Sequence, residues 1–214
     1  MLKTYCINLD HRTDRWAEAT ANYATFGLAP VMRWPAVVDK ELGALGCAKS
    51  HVAALAHFLT QESSPYCLIL EDDFDFVRPW GEFVESFNKL SAEHIEWDAL
   101  LLMGSITIAH DPLPCGFARV FQSLSAAAYL VSRKYASYLL GCFAETIPQM
   151  EAVRHIPNRD FITSRFAIDV AWQKLQRRDR WYIASPAFGK QRPSFSDIEQ
   201  RDVNYDGMTY GLTA

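Results

Sequence analysis

The chain has 214 residues, half of them hydrophobic, which is enough for one sizeable core, or for one core and a small lobe. Its 25 acidic residues outnumber 21 basic ones, for a net charge of −4, and this balance argues against a nucleic-acid-binding protein, which needs a basic surface. No early stretch reads as a signal peptide and no apolar run approaches the ~20 residues that span a bilayer, so we expect a soluble, cytoplasmic protein, with peripheral association at the inner face of a membrane left open.

Five cysteines, an odd number, mostly lie inside apolar segments. The sequence shows no CxxC motif or Cys/His cluster that would indicate zinc. We expect reduced and mostly buried thiols, as is usual in a reducing compartment.

The N-terminal part predicts a strand over residues 3–9 and then a helix that Thr13 or Asp14 can cap. A strand followed at once by a helix start is a common place to hold an anionic group. Arg12 and Arg15 could add charge-assisted contacts to a diphosphate there. The alternative is a surface helix start with ordinary arginines, which the residues alone favour.

A short edge strand is predicted over residues 30–38 because Pro35 interrupts it. Gly43 and Gly46 predict a tight loop, and the apolar spacing beyond them predicts a helix over residues 47–60. Ser50 and His51 stand near its start. His51 could donate to a ligand, although a lone histidine at such a position more often bonds to the backbone.

An acidic stretch follows the buried apolar run 66–70, which predicts an inner strand of a parallel sheet. Glu71, Asp72, Asp73 and Asp75 place four carboxylates within five positions. Ligands of open α/β sheets bind outside the carboxyl ends of the strands, and crowded carboxylates repel one another unless a positive charge lies among them. The stretch therefore predicts a site for Mg²⁺ or Mn²⁺ with a phosphate compound. A strand that ends in a solvated acidic turn is the alternative.

The C-terminal half predicts an irregular loop over residues 146–165, which could face an acceptor, and a helix over 166–177. Asp169 falls in the first turn of that helix, where the helix dipole favours a carboxylate; the other interpretation is a general base. The remaining spans are a helix over 81–90, strands over 98–103, 117–122 and 125–131, a loop over 106–116, a last strand over 181–184 and a polar, turn-rich tail from residue 191.

Alternating strands and helices predict one α/β domain over residues 1–214, an α/β/α sandwich with a mostly parallel central sheet. Neither GxGxxG after the first strand nor GxxxxGK[ST] occurs, which disfavours dinucleotide-binding and P-loop folds. A nucleotide site in this chain would have to be built from carboxylates and a metal ion.

Four stretches in order, at residues 7–16 (INLDHRTDRW), 46–51 (GCAKSH), 68–73 (LILEDD) and 194–199 (SFSDIE), resemble glycosyltransferase family 25, the lipooligosaccharide-biosynthesis and procollagen galactosyltransferases. The resemblance implies a GT-A fold, which is Rossmann-like, and a nucleotide-sugar donor, usually UDP-galactose or a relative. It also implies a Mn²⁺ cofactor, or Mg²⁺ in its place, and inversion at the anomeric carbon.

The resemblance also implies roles for residues of this sequence. It places the carboxylate (DXD) motif on Glu71, Asp72 and Asp73, with Asp73 the best candidate for metal contact, and Asp75 forms a second Asp-x-Asp pair with Asp73. A further metal ligand from the C-terminal part is expected at Asp197 or His155, and Asp169 is the expected base. The expected donor-binding residues are Asn8, Arg12, Arg15, Ser50, His51, Glu71 and Asp72.

Three functions compete at this point. The leading one is a metal-dependent inverting hexosyltransferase that moves galactose or a related hexose from a UDP-sugar to a hydroxyl of a glycan or lipid-linked acceptor such as lipooligosaccharide. The second is a metal-dependent nucleotidyltransferase or phosphodiesterase. The third is a non-catalytic nucleotide-sugar-binding or scaffold protein.

Overall fold

The computed structural model describes residues 2–212, which form twelve strands, eight α-helices and a short 3₁₀ turn at Asp206–Met208. The strands are β1 Lys3–Asn8, β2 Met32–Pro35, β3 Tyr66–Glu71, β4 Phe74–Phe76, β5 Ala99–Leu101, β6 Ser105–Ala109, β7 Phe117–Leu124, β8 Ala128–Ser132, β9 Trp181–Ala184, β10 Gly189–Gln191, β11 Ser194–Ser196 and β12 Arg201–Val203. The helices are α1 Thr13–Thr25, α2 Gly43–Gln61, α3 Trp80–Ala92, α4 Arg133–Ala144, α5 Thr146–Val153, α6 Arg159–Phe166, α7 Ile168–Ala171 and α8 Gln173–Arg178.

The central sheet has eight strands in the order β2-β1-β3-β8-β5-β9-β7-β6. Six of these strands run in one direction, and β7 and β8 run against them. The prediction of a mostly parallel sheet in an α/β protein is therefore confirmed. The two reversed strands make the β8 and β7 pairings antiparallel, while β2, β1 and β3 form a parallel block.

Helices cover both faces of the sheet. On β3, Cys67 and Ile69 belong to the core on the face of α2 and α4, whereas Leu68 and Leu70 belong to the core on the face of α1 and α3. Because side chains alternate along a strand, an unbroken apolar run is what a strand buried on both faces requires. The apolar run of β3 is thus explained by this sandwich.

Two segments predicted as loops are regular in the structure. Residues 146–165 mostly fold as α5 and α6, so the interpretation of this region as an irregular acceptor loop is wrong. Pro148 lies in the first turn of α5, where the missing N–H removes no intrahelical bond. Asn158 caps α6 by accepting a 2.9 Å hydrogen bond from Phe161 N. Residues 105–109 form edge strand β6, whose pairing with β7 has register shifts and whose two isoleucines, Ile106 and Ile108, are exposed.

Gly43 and Gly46 lie inside α2 and not in a tight loop, so that prediction is wrong. Glycine is needed here because other backbone comes close: a Cβ at Gly46 would lie 2.6 Å from Val37 O, and one at Gly43 would lie 2.8 Å from Asp197 O. The start of α2 therefore packs directly against the chain segments that precede and cover it.

Three further bounds differ from the prediction. The helix predicted over 166–177 is two short helices, α7 and α8, joined at Trp172, which is fully buried. The strand at 181–184 is not the last one, because β10, β11 and β12 follow it. The N-cap of α1 is Arg12, and neither Thr13 nor Asp14 occupies that position.

The five cysteines are free thiols, four of them buried and Cys47 half-buried, as expected. Among residues 2–212 there is no helix both long and apolar enough to cross a bilayer.

Candidate active site

A cleft of about 550 Å³ opens at the carboxyl ends of the adjacent parallel strands β1 and β3. Its walls come from the end of β1, the β2–α2 connection, the start of α2, the end of β3 and a C-terminal segment around residues 196–200. This is the edge at which open α/β sheets bind ligands. Of the predicted site residues, Arg15, Ser50, His51, Glu71, Asp72, Asp73 and Asp197 line it.

Asp72 is held by two residues of the N-terminal segment. Asn8 Nδ2 donates to one carboxylate oxygen at 2.6 Å, and Arg15 Nη1 donates to the other at 2.9 Å. Asn8 is oriented in turn by Arg33, whose Nε donates to Asn8 Oδ1 at 2.7 Å. Burial raises the pKa of Asp72, and the charge of Arg15 opposes this rise. Asn8 and Arg15 therefore position the carboxylate motif, a role that the sequence did not indicate.

Asp73 carries the least compensated carboxylate of the acidic stretch. Its Oδ1 is buried and has no hydrogen-bond partner among the described residues. The nearest Arg15 nitrogen is 4.0 Å from the other oxygen. Burial, with the neighbouring charge of Glu71, raises the pKa of Asp73 to about 7. A buried oxygen without a partner, in a carboxyl that resists ionisation, is the feature that a bound cation would satisfy.

Asp75 has a different environment although it lies only two residues further on. It sits on β4, which pairs with β10, and Arg192 binds both of its oxygens at 2.7 and 3.0 Å. Asp75 is not among the residues that line the cleft. The structure therefore does not bring Asp73 and Asp75 together as a pair of available carboxylates.

His51 lies at the floor of the cleft and is fully buried. Its Nε2 is 3.0 Å from Glu71 Oε1, and its Nδ1 is 2.9 Å from the hydroxyl of Tyr129. One helical turn before it, Cys47 Sγ lies 3.8 Å from the same glutamate oxygen. Burial and the charge of Glu71 raise the pKa of the Cys47 thiol. Ser50 fixes this end of α2, because it donates to Gly46 O and accepts from Val37 N.

The C-terminal segment closes over the cleft through the two arginines that were expected to bind a diphosphate. Arg12 Nη1 is 2.7 Å from Asp197 Oδ2, and Arg15 Nη2 donates to Ser194 Oγ at 2.6 Å. Arg15 Nε is buried and has no partner among the described residues. His155, the other expected C-terminal ligand, lies at a second, smaller cavity with Arg154 and not at the cleft.

Asp169 is half-buried in the first turn of α7, as predicted, but does not line the cleft. Its Oδ2 accepts a 2.9 Å hydrogen bond from the backbone N of Ser125, and burial raises its pKa, with a contribution from the charge of Glu71. Ser125 adopts φ +76°, an unfavourable backbone conformation for a residue with a side chain. Its hydroxyl donates to Gln191 Oε1, and the Gln191 side chain in turn interacts with Asp73.

Sequence reasoning missed the residues that support this site. Tyr129, Ser125 and Gln191 are small or neutral residues on distant elements, and Arg33 and Arg192 are single arginines without a motif. Ser125 and Tyr129 gave one local signal, since both belong to the strand predicted over residues 125–131.

No family model and no curated protein matches the sequence. Solved structures are similar to this one at low identity. A mannose-1-phosphate geranyltransferase from Thermus thermophilus has a TM-score of 0.47 and 9% identity over 86% of this chain, which spans 59% of that chain. A glycosyltransferase involved in the glycosylation of the major capsid of PBCV-1 has a TM-score of 0.47 and 9% sequence identity; the match covers 93% of this chain and 96% of that one. Mouse xyloside xylosyltransferase 1 has a TM-score of 0.43 and 9% sequence identity; the match covers 86% of each chain.

Proposed function

We propose that this protein is a metal-dependent inverting glycosyltransferase of GT-A type, which moves galactose or a related hexose from a UDP-sugar to a hydroxyl group of a glycan or lipid-linked acceptor. The observation that carries the proposal is the Asp73 carboxylate, just after β3, whose buried Oδ1 has no partner among residues 2–212 and which lines a cleft of about 550 Å³. A cleft of that size is within the usual range for small-molecule sites.

The residues of the cleft fit a Mn²⁺ or Mg²⁺ ion, because hard cations prefer carboxylate oxygens. Asp73 would be the direct protein ligand, and Asp197, which also lines the cleft and has one oxygen bound by Arg12, would be the C-terminal one. We leave Asp75 out of this set because Arg192 occupies both of its oxygens. When bound, the ion would neutralise charge on the donor diphosphate as the sugar departs.

The chain's own residues would orient the donor and move the proton. Arg15 holds Asp72 beside the cleft, and its buried Nε, which has no partner within the described part of the chain, would donate to an anionic group bound there. In a single inverting step, the acceptor oxygen bonds to the anomeric carbon while the bond to the diphosphate breaks. We propose that Asp169 takes the proton of the acceptor hydroxyl. It lies outside the lining of the cleft, so the acceptor would have to bind next to Glu71, whose charge together with burial raises the pKa of Asp169 and makes it a better base than an ordinary aspartate.

UDP release from a panel of UDP-hexoses, with Mn²⁺ and simple sugar acceptors, tests the proposal. We expect release with at least one donor and transfer of intact hexose to the acceptor. Asp169→Asn should lower kcat by about 100-fold or more and leave KM for the donor within a few-fold, since a base acts in the chemical step. A product that carries the nucleotide would instead identify a nucleotidyltransferase, and donor binding without any turnover would identify a scaffold.

A further inference from the structure

A thiol, an imidazole and a carboxylate meet at the floor of the cleft. Cys47 and His51 are four residues apart on α2, so they lie on one face of the helix, and Glu71 reaches them from the end of β3. One ligand atom from each of Cys47, His51 and Glu71 lies within 4.8 Å of the other two. These are the three ligand types that zinc takes in proteins.

The separations between these atoms suit a tetrahedral ion. Zinc bonds of about 2.3 Å to sulfur and about 2.0 Å to nitrogen and oxygen place such ligand atoms about 3.3 to 3.6 Å apart. The nitrogen and sulfur lie 3.0 and 3.8 Å from the glutamate oxygen. The separation between the Cys47 and His51 ligand atoms is at most 4.8 Å, so bonding geometry requires side-chain movements of up to about 1 Å.

His51 is already oriented as a ligand. Its second ring nitrogen lies 2.9 Å from the Tyr129 hydroxyl, which fixes the ring and can accept a hydrogen bond from Nδ1–H when Nε2 binds an ion. The ring stacks with that of Tyr129, with 5.8 Å between the ring centroids, and makes a T-shaped contact with Phe143. Cys47 is half-buried and lines the cleft, so an ion has a path to the three atoms.

We propose that Cys47, His51 and Glu71 form a second metal site that binds Zn²⁺ through three protein ligands, with the fourth position open to the cleft. The thiolate ligand separates it from the Asp73 site, because Mg²⁺ and Mn²⁺ prefer oxygen while zinc accepts sulfur and nitrogen. The cluster is not evident in the sequence, because its third member is twenty positions beyond His51 and the Cys-x₃-His pair resembles no zinc motif. The proposal stands on these three residues and not on the glycosyltransferase activity.

Cobalt is the probe, because Co²⁺ reports thiolate coordination and tetrahedral geometry through its absorption spectrum. We expect the metal-free full chain to bind one Co²⁺ with a near-ultraviolet thiolate charge-transfer band and intense visible bands, and one equivalent of Zn²⁺ to erase both. Cys47→Ser should lose the charge-transfer band, and His51→Asn should weaken Zn²⁺ affinity at least tenfold. Cys142→Ser is the matched control, a buried thiol on α4 away from the cleft, and should leave the spectrum unchanged.

Tyr129→Phe keeps all three ligands and removes only the hydroxyl that supports His51, so we expect a roughly tenfold loss of Zn²⁺ affinity. Asp73→Asn should retain the charge-transfer band, which separates this site from the one proposed for Mn²⁺. The proposal is overturned if the wild-type chain shows no thiolate band, or if the band persists in Cys47→Ser. Circular dichroism of each variant shows whether a lost band or a lower Zn²⁺ affinity is due to unfolding. If a ligand variant is unfolded, the Zn²⁺ affinity of Tyr129→Phe, which keeps all three ligands, is the deciding measurement.

Discussion

Asp73 and Asp75 are two positions apart in one acidic stretch, and the fold gives them opposite environments. Asp75, on β4, has both oxygens bound by Arg192. Asp73, at the cleft, has one buried oxygen without a partner among residues 2–212 and a pKa raised to about 7. A run of carboxylates in sequence is therefore not one site, because arginines from remote parts of the chain decide which carboxylates stay available.

The difference between Asp73 and Asp75 is tested most directly by neutralising each aspartate in turn. Asp73→Asn should lower the rate of sugar release by about 100-fold or more, because it removes a charged ligand at the point where transition-state charge is stabilised. Asp75→Asn keeps the size and position of its side chain and should change the rate less than about threefold, since that carboxylate does not reach the cleft. Equal losses in both variants, measured as initial rates of UDP release, would contradict the assignment.

The second test concerns the structural role of Asp75. Arg192 and Asp75 are both about four-fifths buried, with side chains 19% and 22% exposed. Arg192→Met should lower the free energy of unfolding by about 2 kcal/mol, because it leaves a mostly buried carboxylate without its donor.

The double variant Arg192→Met/Asp75→Asn is the control for that loss. It should recover part of the lost stability in urea unfolding, since the uncompensated charge is gone. A double variant that is less stable than Arg192→Met alone would show that Asp75 does not owe its environment to Arg192.

The environment of Asp73 also predicts a pH dependence. Its folded pKa of about 7 lies above the unfolded value of about 3.9. The folded state therefore binds the proton more tightly, and the free energy of unfolding of the metal-free protein should fall as pH rises from about 4 to 7 and level off above.

The difference in the free energy of unfolding between the wild type and Asp73→Asn isolates the contribution of Asp73 from those of all other titrating groups. The stability of the variant relative to wild type should increase with pH across that interval, followed by urea unfolding at several pH values. A difference that stays constant with pH would mean that Asp73 ionises as an ordinary aspartate.

The smallest expected loss of stability comes from the ion pair between Arg12 and Asp197. The pair of Arg12 and Asp197 is partly exposed, at 18% and 33% of the side chains. Arg12→Gln should lower the free energy of unfolding by less than about 1 kcal/mol, as for other partly solvated ion pairs. A loss as large as that of Arg192→Met would show that the C-terminal segment depends on this contact for its position.

The fold was predictable where hydrophobic pattern alone decides it. The apolar run of β3 and the strand–helix start at β1 and α1 have strong local signals, and both are present in the structure. The prediction failed at residues 146–165, where prolines at a helix start and between helices were interpreted as loop residues. It also failed at Gly46, where a close backbone contact, not a turn, requires glycine.

The candidate site was predictable only in part. Four carboxylates in five positions marked its place, and the resemblance marked Asp73 as the metal ligand, which remains a prediction. The sequence could not separate Asp73 from Asp75, because Arg192 lies 117 positions beyond Asp75. Likewise Cys47 and His51 meet Glu71 only through the packing of α2 against the sheet. Pairings of this kind depend on tertiary contacts, which local patterns do not contain.

The most direct test of the central claim is thermal unfolding with UDP, with and without Mn²⁺, on the wild type, Asp73→Asn and Asp75→Asn. A ligand that binds only the folded state adds about 2.7 kcal/mol at a hundred times its dissociation constant. We predict a Mn²⁺-dependent stabilisation by UDP in the wild type and Asp75→Asn that is absent in Asp73→Asn. Stabilisation that survives in Asp73→Asn, or none in the wild type with metal present, would contradict the account.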